Sequence, residues 1–255
     1  MFIMRNIYLL LIIFIGISCQ MIFGAIIRLQ TLDSHKIELI EKVAVGTPDE
    51  RIRAIEECGY SHIIACYYTL IETLKDENKD IRSAVALALG NIGVKESSEH
   101  LKKTLDNEKD ENVKINFIRA LGMTRDKDYA EYITTYLKSE VEMIRFHATQ
   151  ALIELNNVKT LEAINSALTT EKSDVCKVVM LEASLHFKKS NKEHADLLKD
   201  FLTSPDRNVR YNAAIAAERL LIKELYVSVG TALMYENEPM VREKLASAYK
   251  RIGIL

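Results

Sequence analysis

Six times along the chain a valine or isoleucine is followed directly by a basic residue: Ile52-Arg53, Ile81-Arg82, Val113-Lys114, Ile144-Arg145, Val209-Arg210 and Val241-Arg242. At Val175 the pattern lapses, because Cys176 follows and the basic residue is Lys177. The steps between the seven aliphatic residues are 29, 32, 31, 31, 34 and 32. A row of cations at this interval can do one of two things. It can offer a positive ladder to an anionic partner through charge-assisted hydrogen bonds. It can instead pair internally with acids of a nearby turn, of which Asp49, Asp76, Asp80, Glu108 and Asp206 are at hand. The row keeps step with the repeat and acids are plentiful, so Arg53, Arg82, Lys114, Arg145, Arg210 and Arg242 are expected to form an inter-repeat ladder.

The next position carries Ser83, Ile115, Phe146, Lys177, Tyr211 and Glu243. Ile115, Phe146 and Tyr211 there are apolar anchors of the kind that dominate interfaces. Together with Lys177 they form the expected partner-binding row. Tyr129, Tyr132 and Tyr136 lie three and four residues apart on one helical face, and packing is their expected use. The six histidines (35, 62, 100, 147, 186 and 194) are scattered. No Cys/His cluster has zinc spacing. No phosphate loop, dinucleotide fingerprint or serine-nucleophile elbow is present. The chain is therefore expected to carry no catalytic residue, no metal and no cofactor.

These residues need elements to hold them. Self-similarity at 20 to 50 residues is the mark of a solenoid. Nine Gly, three Pro and no Trp suit helices. Each unit reads as two helical segments, A and B. The A segments share the row Leu74, Leu105, Leu137, Leu168, Leu202 and Met234, and four residues earlier Leu70, Leu101, Ile133, Ile164, Leu198 and Gly230. Such spacing puts both rows on one helix face. In the B segments an alanine row (88, 120, 151, 216, 248) suggests close helix approach, with Glu182 breaking it. Pro48, Pro205 and Pro239 precede B anchors, as suits a first helical turn. Asp49, Asp80, Asp110, Asp174 and Asp206 cluster there as caps. Gly59, Gly90, Gly122 and Gly253 near the B ends suit left-handed caps. His147 falls on the inner side of a B helix, where Ala84, Asn116 and Asn212 are its equivalents. The first A helix is read from Ile37, Ile40 and Ala44. B helices are expected to start near 50, 79, 111, 142, 173, 207 and 239.

The openings Asn78-Lys79-Asp80-Ile81-Arg82, Asp110-Glu111-Asn112-Val113-Lys114 and Asp206-Arg207-Asn208-Val209-Arg210 resemble the HEAT-repeat family. Ala88-Leu89-Gly90 and Ala120-Leu121-Gly122 add to that resemblance. It covers residues 33 to 255, about seven units. The period of about 31 is similar to short bacterial HEAT-like repeats, bilin lyases among them. The resemblance implies an all-α fold, a right-handed α-α superhelix of about seven short helical hairpins. It also implies Asp–Arg ladders between units and a scaffold role. The di-iron hydroxylases of this family would require His-Glu dipeptides, which are absent, and the glycosylase-like members would require stacking tryptophans.

Residues 1 to 28 are a separate segment. Arg5 precedes an apolar run from Ile7, as in a secretory signal. Three fates follow: cleavage near Gly24-Ala25, lipidation of Cys19 in the lipobox-like Gly16-Ile17-Ser18-Cys19, or retention of residues 7 to 27 as an anchor, about the length that spans a bilayer. Each places the repeats outside the cytoplasm, in a periplasmic or cell-envelope location. Past residue 28 the chain has 32 basic and 36 acidic residues, so a nucleic-acid partner is not expected. Cys58 and Cys66 are read as small buried residues, with a bridge across the first repeat junction as the alternative. The stretch Gly253-Ile254-Leu255 has no polar cap, which suggests cover by a partner or by self-association. Together these features describe an exported scaffold binding a protein on its concave face. The alternatives are a bilin-lyase-like enzyme or accessory, and an architectural envelope component.

Overall fold

A computed structural model describes residues 34–254 of the chain. The expected leader or anchor (residues 1 to 28) and the expected lipidation site Cys19 lie outside the described residues. Among those residues there is no strand, and no helix is long and apolar enough to cross a membrane.

Seven helical hairpins follow one another. The first pairs α1 (34–45) with α2 (Pro48–Tyr60). Next come α3 (Tyr67–Thr73) with α4 (Lys79–Ile92), and α5 (Ser97–Leu105) with α6 (Glu111–Met123). The fourth pairs the short α7 (Ala130–Thr134), prolonged by a 3-10 turn (Thr135–Lys138), with α8 (Glu142–Leu155). The rest are α9 (Leu161–Thr170) with α10 (Asp174–Phe187), α11 (Lys192–Phe201) with α12 (Arg207–Leu220), and α13 (Tyr226–Tyr235) with α14 (Pro239–Gly253). The even-numbered helices are the B helices. Each packs on its own A helix and on the B helices before and after it, which gives an α-solenoid.

The starts of the B helices fix the register of every unit. Side chains of Asn78, Asp110, Ser173 and Asp206 accept hydrogen bonds from backbone N–H groups of the first turn, groups that have no partner inside the helix. The amide of Thr47 donates to Glu50 at 2.9 Å. Counting three residues on from the N-caps gives the true anchors: Glu50, Ile81, Val113, Ile144, Cys176, Val209 and Val241. Two expectations are corrected by this count. In α2 the register moves back by two residues, from Ile52 to Glu50. In α10 it moves on by one, so that buried Cys176 takes the place given to Val175. Ala183, not Glu182, then continues the alanine row, and that row is unbroken from α4 to α14. Four residues beyond the anchors, Ala54, Val85, Phe117, Ala148, Met180, Ala213 and Leu245 are all buried.

Two A helices are also rotated from their expected faces. In α1 the buried pair is Leu39 and Val43, while Ile37 and Ala44 are exposed. In α13 the core positions are Tyr226, Val229 and Leu233, one residue before Val227, Gly230 and Met234; Val227 and Met234 are exposed. Each residue turns a helix by about 100°, so a slip of one exchanges core for surface.

The glycines near the B ends do not cap. Gly59, Gly90 and Gly122 lie within their helices, and a Cβ on each would stand 2.7, 2.9 and 2.8 Å from the Cα of Ala88, Ala120 and Ala151. Here glycine on one B helix meets alanine on the next, and the backbones approach as closely as side chains permit. The left-handed turns fall instead at His62, Gly93, Arg125, Asn156 and Leu221.

The apolar core divides in two at α10. Met180 and Ala183 pack with the units before it, whereas Val178, Leu181 and Leu185 pack with the units after it. Every residue from Val178 to Leu185 is buried, including Glu182 and Ser184. Cys58 and Cys66 are joined by a disulfide with a Cα–Cα distance of 6.2 Å, which corrects the reading of both as free. The turn at His62 and the 3-10 turn Ile64–Cys66 fold the chain back far enough to bring them together. Cys176 is free and buried, and burial pushes its thiol up to about 11.

Candidate functional site on the inner face

In the corrected register one residue beyond each anchor is basic in all seven units: Arg51, Arg82, Lys114, Arg145, Lys177, Arg210 and Arg242. Arg145 shows how the arginines are used. Its Nη1 donates to the carbonyls of Ser139 and Glu140 at 2.8 and 3.1 Å. Its Nε and Nη2 donate to the two carboxylate oxygens of Glu171 in the next unit, at 2.7 and 2.8 Å. Glu171 in turn accepts from the amides of Lys172 and Ser173. Arg82 with Glu108, and Arg210 with Glu236, repeat this arrangement. The glutamate side chains are 2 to 5% exposed. Burial acts to raise the pKa values of Glu108 and Glu171, but the arginine and the loop amides outweigh it and hold both below the usual range. Glu236 is lowered first by its bond to Arg210.

The rest of the row differs. Arg51 reaches Asp76 at 2.7 Å, so the ladder position of the first unit belongs to Arg51. Arg53, the expected member, is exposed and faces elsewhere. Lys114 and Lys177 pair with Glu111 and Asp174 in their own helices, so at these two steps the basic row itself makes no bridge between units. Arg242 holds carbonyls of Leu233 and Glu236 in its own unit. Asp49, Asp80 and Asp206 are not ladder partners; Asp76 and Glu108 are. Grooves of about 440 to 500 Å³ beside the three bidentate bridges recur with the stacking.

The expected partner row is only partly free. Ile115 packs on the first core cluster and Tyr211 on the second. Phe146 is half-buried, edge-on to His147 at 5.1 Å. Lys177 does not belong to this row, because the one-residue shift in α10 gives its place to buried Val178. Tyr132 donates to Asp106 at 2.7 Å and meets the Tyr136 hydroxyl at 2.8 Å, a packed pair rather than a stacking platform.

A polar cavity lies instead at positions three, six and ten beyond the anchors. It holds about 440 Å³ and is lined by B helices alone. α6 supplies Arg119 and Met123, α8 supplies His147, Gln150 and Glu154, and α12 supplies Arg219. Helices α6 and α12 are separated by α8 and α10, yet line one cavity, so the B side is the concave side. Gly122 makes room here: a Cβ on it would stand 3.3 Å from a carboxylate oxygen of Glu154. Arg219 also bonds Glu182 of α10 at 3.2 Å, which accounts for the buried acid. Burial raises the pKa of Glu182 and Arg219 opposes it. Glu154 is likewise raised by its surroundings, against the pull of Arg125, Arg219 and Arg119. His147 is lowered by burial and then by Arg119, so it is neutral near pH 7. His147 was legible as an inner-face residue. Arg119, Glu154 and Arg219 were not, because only curvature brings them together.

The family model for HEAT repeats matches residues 38–115 and 98–184, more than half of the chain. The chain belongs to the HEAT-repeat family. Among solved structures, this HEAT-repeat protein is similar to the complex of CpcE and CpcF of phycocyanin lyase from Nostoc sp. PCC7120. The identity is 15%, the TM-score 0.65, and the match covers 85% of this chain and 94% of that chain. It is also similar to YibA of Escherichia coli, at 17% identity and a TM-score of 0.51, covering 85% and 91%. At these identities the likeness concerns the HEAT fold. No curated protein matches the sequence. Among the described residues no group of His, Cys, Asp and Glu is placed to hold a metal.

Proposed function

We propose that this HEAT-repeat protein is a non-catalytic, exported adaptor that holds a protein partner on the concave face of its solenoid. One observation carries the reading. The arginines of the regular ladder are consumed by bonds inside the stack, whereas Arg119, His147, Gln150 and Arg219 line an open inner-face cavity to which α6, α8 and α12 all contribute. A rigid stack presents such a surface without rearrangement. Export is supported by the leader-like residues 1 to 28 and by the Cys58–Cys66 disulfide, since disulfides persist in oxidising compartments.

A photo-crosslinking residue at position 147, compared with one at Tyr68 on the exposed side of α3, tests this in intact cells. A discrete crosslinked protein from position 147 and none from position 68 is expected. In the same acid-quenched sample Cys58 and Cys66 should resist alkylation until reduced. Crosslinks from the outer position alone end the concave-face reading, and two freely alkylated thiols end the export reading.

A further inference from the structure

We infer that the inner-face cavity recognises an acidic peptide segment of its protein partner, with carboxylates held by Arg119 and Arg219. The inference rests on the concave-face reading above and adds the chemistry of the partner. The lining carries two guanidinium groups, Arg119 and Arg219, against one carboxylate, Glu154. The balance at this spot is positive in a chain whose net charge is −2.

The arginines here are also unsaturated. Arg82, Arg145 and Arg210 each meet a glutamate in bidentate fashion and two carbonyls as well. Arg119 donates only to the neutral Asn116 side chain, at 3.1 Å. Arg219 gives one N–H to Glu182 and stays 55% exposed. Guanidinium groups with donors to spare, facing one cavity, are suited to planar carboxylates.

The floor narrows the choice further. Met123, Ala151 and Ile153 offer apolar surface beneath the charges. An acidic side chain places its methylene groups there and its carboxylate between the arginines. A phosphate backbone would bring no apolar stem to this surface.

The test measures fluorescence anisotropy of a labelled octaglutamate peptide against the full chain, with octaglutamine and octalysine peptides as controls. Octaglutamate alone is expected to bind. Arg119→Gln should weaken that binding about tenfold, the size expected for one charge-assisted hydrogen bond. Arg119→Gln with Arg219→Gln should abolish it, and Arg207→Gln, on an exposed first turn away from the cavity, should leave it unchanged. Because Arg219→Gln strips Glu182 of its partner, Arg119→Gln, which has no charged partner to orphan, decides the matter if the double variant unfolds. Equal binding by Arg119→Gln, no binding of octaglutamate, or stronger displacement by polyphosphate than by free octaglutamate each overturns the inference. The crosslinked partner from position 147 separates the two readings. If Arg119→Gln retains that crosslink undiminished, the acidic-peptide inference falls and the concave-face adaptor stands.

Discussion

The first four B helices and the last three are built to the same repeat, but they are joined differently. Between α2 and α8 the contact is glycine on alanine: Gly59 on Ala88, Gly90 on Ala120, Gly122 on Ala151. At the same position in the later units stand Ile153, Leu185 and Glu218. Glu218 accepts from Ser247 at 2.7 Å and lies 3.6 Å from Arg251, so the last B–B contact is partly polar. The early stack is close, which leaves no tolerance for added volume. The later stack is spaced by side chains. The core divides at α10, where the second regime begins, and the cavity opens over the last close contact. A repeat can keep its core rows constant while one position sets the spacing between units.

Gly90→Val against Glu218→Ala strains this comparison hardest. The valine Cβ meets the Ala120 backbone at 2.9 Å, which cannot yield as a flexible side chain would. Overpacking of this kind costs about 3 kcal/mol. Loss of the part-exposed Glu218 contacts costs about 1 kcal/mol or less. Urea unfolding of both variants measures the difference, and equal losses would erase the distinction between close and side-chain-spaced junctions.

Junctions bridged and not bridged by the basic row come next. Arg145→Ala leaves Glu171 buried with a charge and no cation. About 2 kcal/mol should be lost, below the range for fully buried pairs because the guanidinium side chain keeps 17% exposure. Lys114→Ala removes only a pair within one helix and should cost about 0.5 kcal/mol or less. Thermal melts at fixed pH rank the two.

The smallest effect is in pH. Glu108, Glu171 and Glu236 have folded pKa values below the ordinary 4.5. Their stabilisation is complete above about pH 4.5 and is lost as pH falls through the lowered values. Glu182 runs the other way: its pKa is raised in the fold, so its cost appears as pH rises past 4.5. Glu182→Gln should therefore remove a slope in stability just above pH 4.5 while leaving the acid limb untouched. A melting series from pH 3 to 7 reads both limbs; an unchanged slope in Glu182→Gln would show that Arg219 compensates the acid fully.

The sequence by itself determined the class of the molecule. Apolar rows at helical spacing, with prolines and capping residues at a constant interval, can be satisfied only by stacked hairpins, and seven of them are present. It also marks the register at the helix starts. Thr47 with Glu50 three residues later, and Ser173 three before Cys176, mark helix starts that set α2 and α10 in register. Read from aliphatic residues alone, the anchor of α2 falls two residues late and that of α10 one residue early. Anchored on their caps, the basic row is continuous.

Tertiary structure alone decided the rest. Period tells which residues recur but not which way the helix is turned when a linker gains or loses a residue, and about 100° per residue makes that turn decisive. Glycine at a helix end carries the same letter whether it caps or admits a neighbour; the distance to Ala120 shows which. Cys58 and Cys66 needed a turn of known shape to meet. Arg119 and Arg219 are 100 residues apart in the chain and three units apart in the stack. They share one cavity because the array curves toward its B helices, and curvature is a sum of small contacts that no single residue records.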